Sequence, residues 1–416
     1  MPWAKSYPAW EGGRTTAGAA ASPFGRRSLL SRPVPLPQPS FLLDSLRSST
    51  GQMVEQLEQL TRIESPSSEL AATAACAEQV AAMGEAFLGE APERIEIEGR
   101  THLRWRFGAA RSGPPAVLLV GHFDTVWPLG TLARWPFSVD GGRASGPGAF
   151  DMKAGIVQMM NGLRFLGDLD GLAILLTSDE ELGSPSSRSL IEESAAGAGA
   201  ALVLEPSSAG ALKGARKGTS LYDLRVEGRA AHAGLEPERG LNATVELAHQ
   251  VLAICELAEP EKGTTVTPTV AASGTTTNTV PAEAFLHVDV RAWSLEEQQR
   301  VDAAMHRLAP VLEGASLGLG GGVNRPPLEW SSSRRILPLA EKLAASLGLG
   351  RLDSVEVGGG SDGNFTAALG VPTLDGLGAV GGNAHAEGEW VLVAAMAERA
   401  GLLALLVEEL RSSPPR

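Results

Sequence analysis

VLLVGHFDTV, residues Val117–Val126, is the stretch from which the rest of the chain can be read. Its run of Val and Leu predicts a strand buried on both faces. The strand ends on His122, and Asp124 follows two residues later. Open α/β sheets place their chemistry at the carboxyl ends of strands. A histidine and an aspartate delivered there are therefore candidates for a site, although a strand-end histidine alone is an ordinary residue.

Working outward, LAILLT (Leu172–Thr177) and AALVL (Ala200–Leu204) repeat the buried-strand pattern. Helical segments over Met152–Leu166 and Ser187–Ala195 separate them. Apolar strands alternating with helices predict a mostly parallel sheet with helices on both faces, an α/β fold. Upstream, apolar residues at helical spacing run from Phe41 to Ser65, and a second helix is expected over Leu70–Leu88. Arg94–Phe107 alternates like a strand hairpin.

The pattern changes after Lys213. Strands are expected at Tyr222–Glu227, Thr264–Ala272, Ala284–Trp293 and Ser316–Leu319. Helices fall over Asn242–Leu257 and from a capping box at Ser294–Glu297 to about Leu308. The order β-α-β-β-α-β is that of a ferredoxin-like α+β unit, here inserted as a lid or dimerisation domain. After Arg325-Pro326-Pro327 the first pattern returns: helix Ser333–Leu347, loop Gly358–Asn364, strand Val371–Leu374 and helix Glu389–Glu409. The expected divisions are a disordered extension (1–40), a catalytic domain in two segments (41–212 and 326–416), and the lid between them (213–325).

Composition narrows the partners. A formal charge of −13 argues against nucleic acid, whose phosphates an acidic protein repels. No run of 18 apolar residues appears, so no membrane span is expected. Arg26-Arg27 precedes a proline-rich stretch rather than a long apolar one, so no export signal is expected and the protein is placed in the cytoplasm. The two cysteines, Cys76 and Cys255, sit in separate helix-like apolar runs. They read as buried free thiols, and neither belongs to a CxxC pair, which argues against a thiolate metal site.

Acids and histidines recur at strand ends and in glycine-rich loops. His122 has Asp124 beside it, placed to orient the imidazole. Asp151 lies in GPGAFDMKAG, where a lone aspartate also suits a helix N-cap. Glu180 and Glu181 lie in TSDEELG after LAILLT, where a solvated acidic turn is the simpler reading. Glu205 ends LVLEPS, and His385 lies in GAVGGNAHAEGEW. Imidazole and carboxylate without thiolate suit Zn, Co or Mn. Five such ligands with one bridging carboxylate make a two-metal hydrolytic centre, with metals ~3.5–4 Å apart. One acid of the adjacent pair would stay free as a base.

Taken together and in order, GHFDTV, GPGAFDMKAG, TSDEELGS, VLEPS, AAHAG and NAHAEGEW resemble the co-catalytic zinc metallopeptidases of the aminoacylase and carboxypeptidase G family. That family includes glutamate carboxypeptidase, acetylornithine deacetylase and succinyl-diaminopimelate desuccinylase. The resemblance covers about residues 41 to 412. It implies that His122 and Glu205 hold one metal, Glu181 and His385 the other, and that Asp151 bridges them. It implies Glu180 as general base, Asp124 as the group that orients His122, and a cis peptide after Asp151. His232 in AAHAG would reach a partner's active site in a homodimer and stabilise the oxyanion. Arg291, otherwise a salt-bridge residue, would clamp a substrate carboxylate. Asn278 would hydrogen-bond the substrate, and Gly360 would help wall the site. Lys213, Arg216 and Lys217 read either as cations for an acidic side chain or as a solvated hinge. His102, His249, His287 and His306 read as surface or core, and Lys153 as helix-start surface. The implied reaction is hydrolysis of the amide of an N-acyl amino acid or short peptide, with the glutamate carboxypeptidase branch first and a deacylase second. A metal-binding dimer module without catalysis is the remote alternative.

Overall fold

The structure is a computed structural model and describes residues 37–413. The expected extension lies outside the described residues up to position 36; helix begins at Pro39, two residues ahead of Phe41. The first helical stretch is two helices, Pro39–Ser48 and Thr50–Thr61. At the junction the Ser49 hydroxyl donates to the Ser45 carbonyl at 3.0 Å. Leu42, Leu46, Met53, Leu57 and Leu60 form the buried stripe of the pair.

Strand Val117–His122 is buried at all six positions. It runs parallel to Leu172–Thr177 on one side and to Ala200–Val203 on the other. The six-stranded sheet continues outward to Thr373–Leu374 at one edge and to the hairpin Glu93–Ile97 and Arg100–Arg106 at the other. Its centre is parallel and its hairpin edge antiparallel. Each fully buried Leu or Val contributes roughly 1.5–3 kcal/mol over leaving it in water. The central strands therefore fix the sheet, and the sheet fixes which chain ends meet.

Two glycines let the layers close on the strand end that leads to Glu205. A Cβ on Gly155 would lie 2.3 Å from the Leu204 carbonyl oxygen, and one on Gly378 would lie 2.2 Å from it. Helix Ala154–Leu163 and the 376–379 turn can approach that strand only because both positions lack a side chain.

The second sheet has the order Thr265–Ser273, Glu283–Ala292, Gly218–Glu227, Ser316–Arg325, all antiparallel. Helices Ala243–Cys255 and Leu295–Met305 cover one face, and this unit has its own core of Tyr222, Leu224, Val226, Leu286, Val288 and Val290. Gly218–Glu227 alternates buried and exposed from Ser220 onward, as a one-sided sheet requires. The last strand is longer than the expected Ser316–Leu319 and runs on to Arg325. Ser294 caps the second helix by accepting from the Glu297 N–H at 3.2 Å. The Glu297 carboxylate instead binds Lys262, Thr264 and Arg300, so the expected capping box is only half made.

Several local expectations change. The helix expected over Glu389–Glu409 runs from Val393 to Ser412. Trp390–Leu392 is a strand in a small sheet with Gly381–Gly382, Arg143–Ser145 and Ser138–Asp140. Ser333–Leu347 divides into Trp330–Ser333 and Leu337–Ser346. Residues Gly363–Ala368 of and after the glycine-rich loop are helical. Cys76 is buried as expected, whereas Cys255 is exposed.

Candidate metal centre

In the parallel register His122 stands opposite Thr177, and Val120 opposite Val203. The next residues beyond these ends bring His122, the Asp179–Glu181 turn and Glu205 to one edge. Asp151 arrives from the 146–151 loop. Its backbone is not helical (φ −114°, ψ 96°), and the Asp151–Met152 peptide is cis. The N-cap alternative therefore fails, because helix Ala154–Leu163 is preceded by Lys153 at that position.

Asp151 faces both ways. Its Oδ1 lies 3.4 Å from His122 Nε2, and its Oδ2 lies 3.4 Å from His385 Nε2. Glu205 Oε1 is 3.4 Å from His122 Nε2, and Glu181 Oε2 is 3.1 Å from His385 Nε2. Two clusters thus share one carboxylate: His122 with Glu205, and His385 with Glu181. Ligand atoms of His122, Asp151 and Glu181 lie within 4.8 Å of one another, as do those of His122, Glu180 and Glu205. His385 stands in the left-handed region (φ 60°) and is half exposed, the open side of the centre.

The donor set fits divalent cations. His122 Nε2, Asp151 Oδ1 and Glu181 Oε1 are buried without a hydrogen-bond partner. Buried polar atoms in folded proteins are nearly always partnered, so three orphans aimed at one place call for a ligand. The electrostatics point to a cation. Burial works against charge on His122, yet Asp124, Asp151 and Glu205 outweigh it and hold its pKa well above the imidazole range. Asp151 and Glu181 push His385 up to about 11. Burial drives Glu180 well above the carboxylate range, with Arg325 pulling the other way.

The supporting contacts are more specific than the pattern of acids suggested. His122 Nδ1 lies 3.1 Å from the Asp124 carbonyl and 3.4 Å from Asp124 Oδ1. Asp124 also accepts from the backbone N–H of Glu180 (3.3 Å) and Glu181 (3.2 Å) and from the Ser67 hydroxyl (2.6 Å). One aspartate thus aims the histidine and seats the acidic turn. Buried His102 accepts the Ser178 N–H and meets the Ser186 hydroxyl at 3.1 Å, behind the same turn.

Residues 118–409 match the sequence profile of Peptidase family M20/M25/M40. The chain belongs to this family. Carboxypeptidase G2 from Pseudomonas sp. (strain RS-16) is 33% identical over 313 residues, 72% of this chain and 74% of that protein. Succinyl-diaminopimelate desuccinylase from Halorhodospira halophila is 28% identical, over 74% of this chain and 85% of that protein. In fold, the M20 family metallo-carboxypeptidase Sso-CP2 from Sulfolobus solfataricus superposes with a TM-score of 0.67 at 16% identity, covering 87% of this chain and 99% of that one. The protein is accordingly a metal-dependent peptidase or amidohydrolase of the M20/M25/M40 type.

His232, Asn278 and Arg291 lie in the second sheet unit and Gly360 in the 358–364 loop, with no hydrogen bond or ion pair to the clustered acids and histidines among the described residues. His232 is exposed; its Nδ1 accepts the N–H groups of Gly234 and Leu235 at 3.1 Å, so the proton sits on Nε2. Asn278 is exposed, and its carbonyl accepts from the Ala233 N–H. Arg291 makes the salt bridge that was its simpler reading, with Asp289 at 2.7 Å, and reaches the Thr219 hydroxyl at 2.9 Å. The Gly360 carbonyl accepts from Arg216.

Two cations depart from expectation. Arg216 is neither a solvated hinge nor a free cation: it is buried, binding Asp375 through two atoms and Glu205 Oε2 at 3.2 Å. Lys153 is not surface; it is buried, and its ammonium donates to the carbonyls of Leu60 and Ile63, in and just beyond the last turn of helix Thr50–Thr61.

Three supporting residues escape the sequence patterns. Arg325, the last residue of the second sheet, donates to Glu180 Oε1 at 2.9 Å and to Asp362 at 3.1 Å. Asp375 anchors Arg216. Glu389 is fully buried near Asp151, and burial pushes its carboxyl up to about 7, with the N–H groups of Asp151 and Phe150 and the Trp127 indole restraining the rise. Its only sequence signal was its place in the segment that carries His385.

Proposed function

We propose that the protein hydrolyses the amide bond of an N-acyl amino acid or short peptide, as a glutamate carboxypeptidase, with a two-metal centre. The observation that carries this is Asp151, whose two carboxylate oxygens face two separate histidine–glutamate clusters. In this assignment His122, Asp151 and Glu205 hold one cation, and Asp151, Glu181 and His385 the other. Two divalent ions, zinc first with cobalt or manganese as alternatives, supply positive charge that polarises the scissile carbonyl and acidifies the attacking water.

The chain's own groups do the rest. Glu180, deeply buried and raised in pKa, takes a proton from the attacking water while the water oxygen bonds to the carbonyl carbon. The C–N bond then breaks, and Glu180 returns the proton to the departing nitrogen. Arg325 holds the Glu180 carboxylate in one orientation, and Asp124 fixes the turn beneath it. The segment 213–325, which carries the second sheet from Gly218 onward, acts as a lid and dimerisation domain. His232 is exposed with its Nδ1 occupied, which leaves an Nε2–H suited to an oxyanion in the site of a partner subunit. Arg291 is held by Asp289, and its Nη1 edge faces Thr219; with Asn278 and the Gly360 backbone it would keep the substrate carboxylate in register. The working form is then a homodimer, and the cytoplasm is its proposed compartment.

The likeness to carboxypeptidase G2 supports the glutamate carboxypeptidase branch. The likeness to a desuccinylase keeps an N-acyl deacylase as the second reading. Steady-state kcat/KM for glutamate release from N-acyl-glutamates, set beside acetate release from N-acetyl amino acids, separates them. Preference for glutamate release is expected; faster acetate release would move the assignment to a deacylase. No turnover of either by the metal-loaded protein would revive a non-catalytic role.

A further inference from the structure

Glu389 has an unusual set of partners for a buried acid. Each carboxylate oxygen takes two N–H donors. Oε1 accepts from the backbone N–H of Phe150 (2.7 Å) and Asp151 (2.9 Å). Oε2 accepts from the Gly148 N–H (3.2 Å) and from the Trp127 indole (2.9 Å). The neighbouring buried cation, Lys153, spends its hydrogen bonds on the carbonyls of Leu60 and Ile63 instead. The carboxylate is therefore held by a nest of N–H dipoles, not by an ion pair.

The donors belong to separate segments, and that placement carries the inference. Gly148, Phe150 and Asp151 form the loop that presents Asp151. Trp127 lies just beyond His122 and Asp124 on the segment that leaves the opening strand. Glu389 itself is four residues after His385. Its carbonyl accepts the Ser145 hydroxyl at 2.7 Å, and Trp390–Leu392, which forms with Gly381–Gly382 the hairpin that carries His385, pairs with Arg143–Ser145. One side chain thus joins the segments carrying His122, Asp151 and His385. Asp124 does the corresponding job for the Glu180–Glu181 turn.

We propose that Glu389 is a positioning residue that sets the separation of Asp151 and His385, and so the affinity of the second of the two cation sites. It touches neither substrate nor the reacting atoms. It acts by fixing the backbone from which Asp151 projects against the hairpin from which His385 projects. The proposal rests on the two-cation assignment made above. The cluster of His122, Asp151 and Glu205 draws its other ligands from two adjacent central strands, so it depends less on Glu389. The cluster of Asp151, Glu181 and His385 draws its ligands from loops and depends on it more.

The test is a cobalt(II) titration of the chelator-stripped full chain, followed by calorimetry and by the visible absorption of the bound ion. Wild type is expected to take up two equivalents. In Glu389→Gln the amide NH₂ must face N–H donors on one side or the other. The second equivalent is then expected to weaken about tenfold or more, the first much less. Trp127→Phe removes a single donor and is expected to weaken the same equivalent by a smaller factor. In Trp127→Phe/Glu389→Gln the amide gains room on that side, and some of the loss is expected to return. A merely space-filling role would lower the thermal midpoint of the metal-free variants and leave both equivalents as tight as in wild type. That result, in folded Glu389→Gln and in Trp127→Phe, overturns the proposal. Fewer than two equivalents in wild type would overturn the two-cation assignment and this inference with it, and wild type alone reveals that failure.

Discussion

His122–Asp124 and His287–Asp223 are the same chemical pair in two settings. In the first, at the end of the central sheet, the side chains are 1% and 0% exposed. In the second, on the open face of the second sheet, they are 48% and 61% exposed. Water screens the second pair, and exposed pairs of this kind contribute about 0–1 kcal/mol. The first has no water to fall back on, and Asp124 also holds two backbone N–H groups of the acidic turn. The open face of the second sheet is a solvated surface whose charges are individually replaceable. The strand-end edge is a closed network in which each charge orients the next.

This contrast can be broken or sharpened by substitution. The largest effect is expected from Glu180→Gln, which leaves shape and ligands in place and removes the base. Turnover should fall by about 10³-fold with metal content unchanged, measured by steady-state kinetics and elemental analysis of the same sample. Substantial activity in that variant would place the base elsewhere. Next comes Arg216→Met, which strands Asp375 and removes a partner of Glu205. Breaking a buried ion pair from one side costs about 3–5 kcal/mol, read from denaturant unfolding of the metal-free protein. The smallest pair of effects makes the comparison directly. Asp124→Ala should weaken metal binding by about 10–100-fold. Asp223→Ala should leave metal affinity unchanged and stability within about 0.5 kcal/mol. Equal responses would erase the distinction between the two pairs.

The regions of the molecule visible in the sequence are those in which local pattern and tertiary role coincide. VLLV, LAILLT and AALVL are apolar because both faces of the sheet are covered, so composition alone locates them. The motifs whose acids and histidines cluster were legible because each ends a buried strand or sits in a glycine-rich turn. What stayed hidden depends on pairing between distant segments. The helix expected from Glu389 starts at Val393, because Trp390–Leu392 finds a partner in Arg143–Ser145, far away along the chain. That same pairing carries Glu389 to the Asp151 loop. Lys153 looks like a surface lysine by type, yet the end of the Thr50–Thr61 helix offers it two carbonyls and draws it inside. Arg325 sat in a proline-rich junction that suggested only a boundary. Its contact with Glu180 arises because the last strand of the second sheet runs longer than its glycine-rich sequence implied.

The central claim is that Asp151 is shared by two cations. Anomalous diffraction from crystals grown with cobalt(II), collected at the cobalt edge, tests it most directly. Two peaks ~3.5–4 Å apart are expected, one bounded by His122 and Glu205, the other by Glu181 and His385, with Asp151 between them. A single peak, or peaks away from Asp151, would contradict the account.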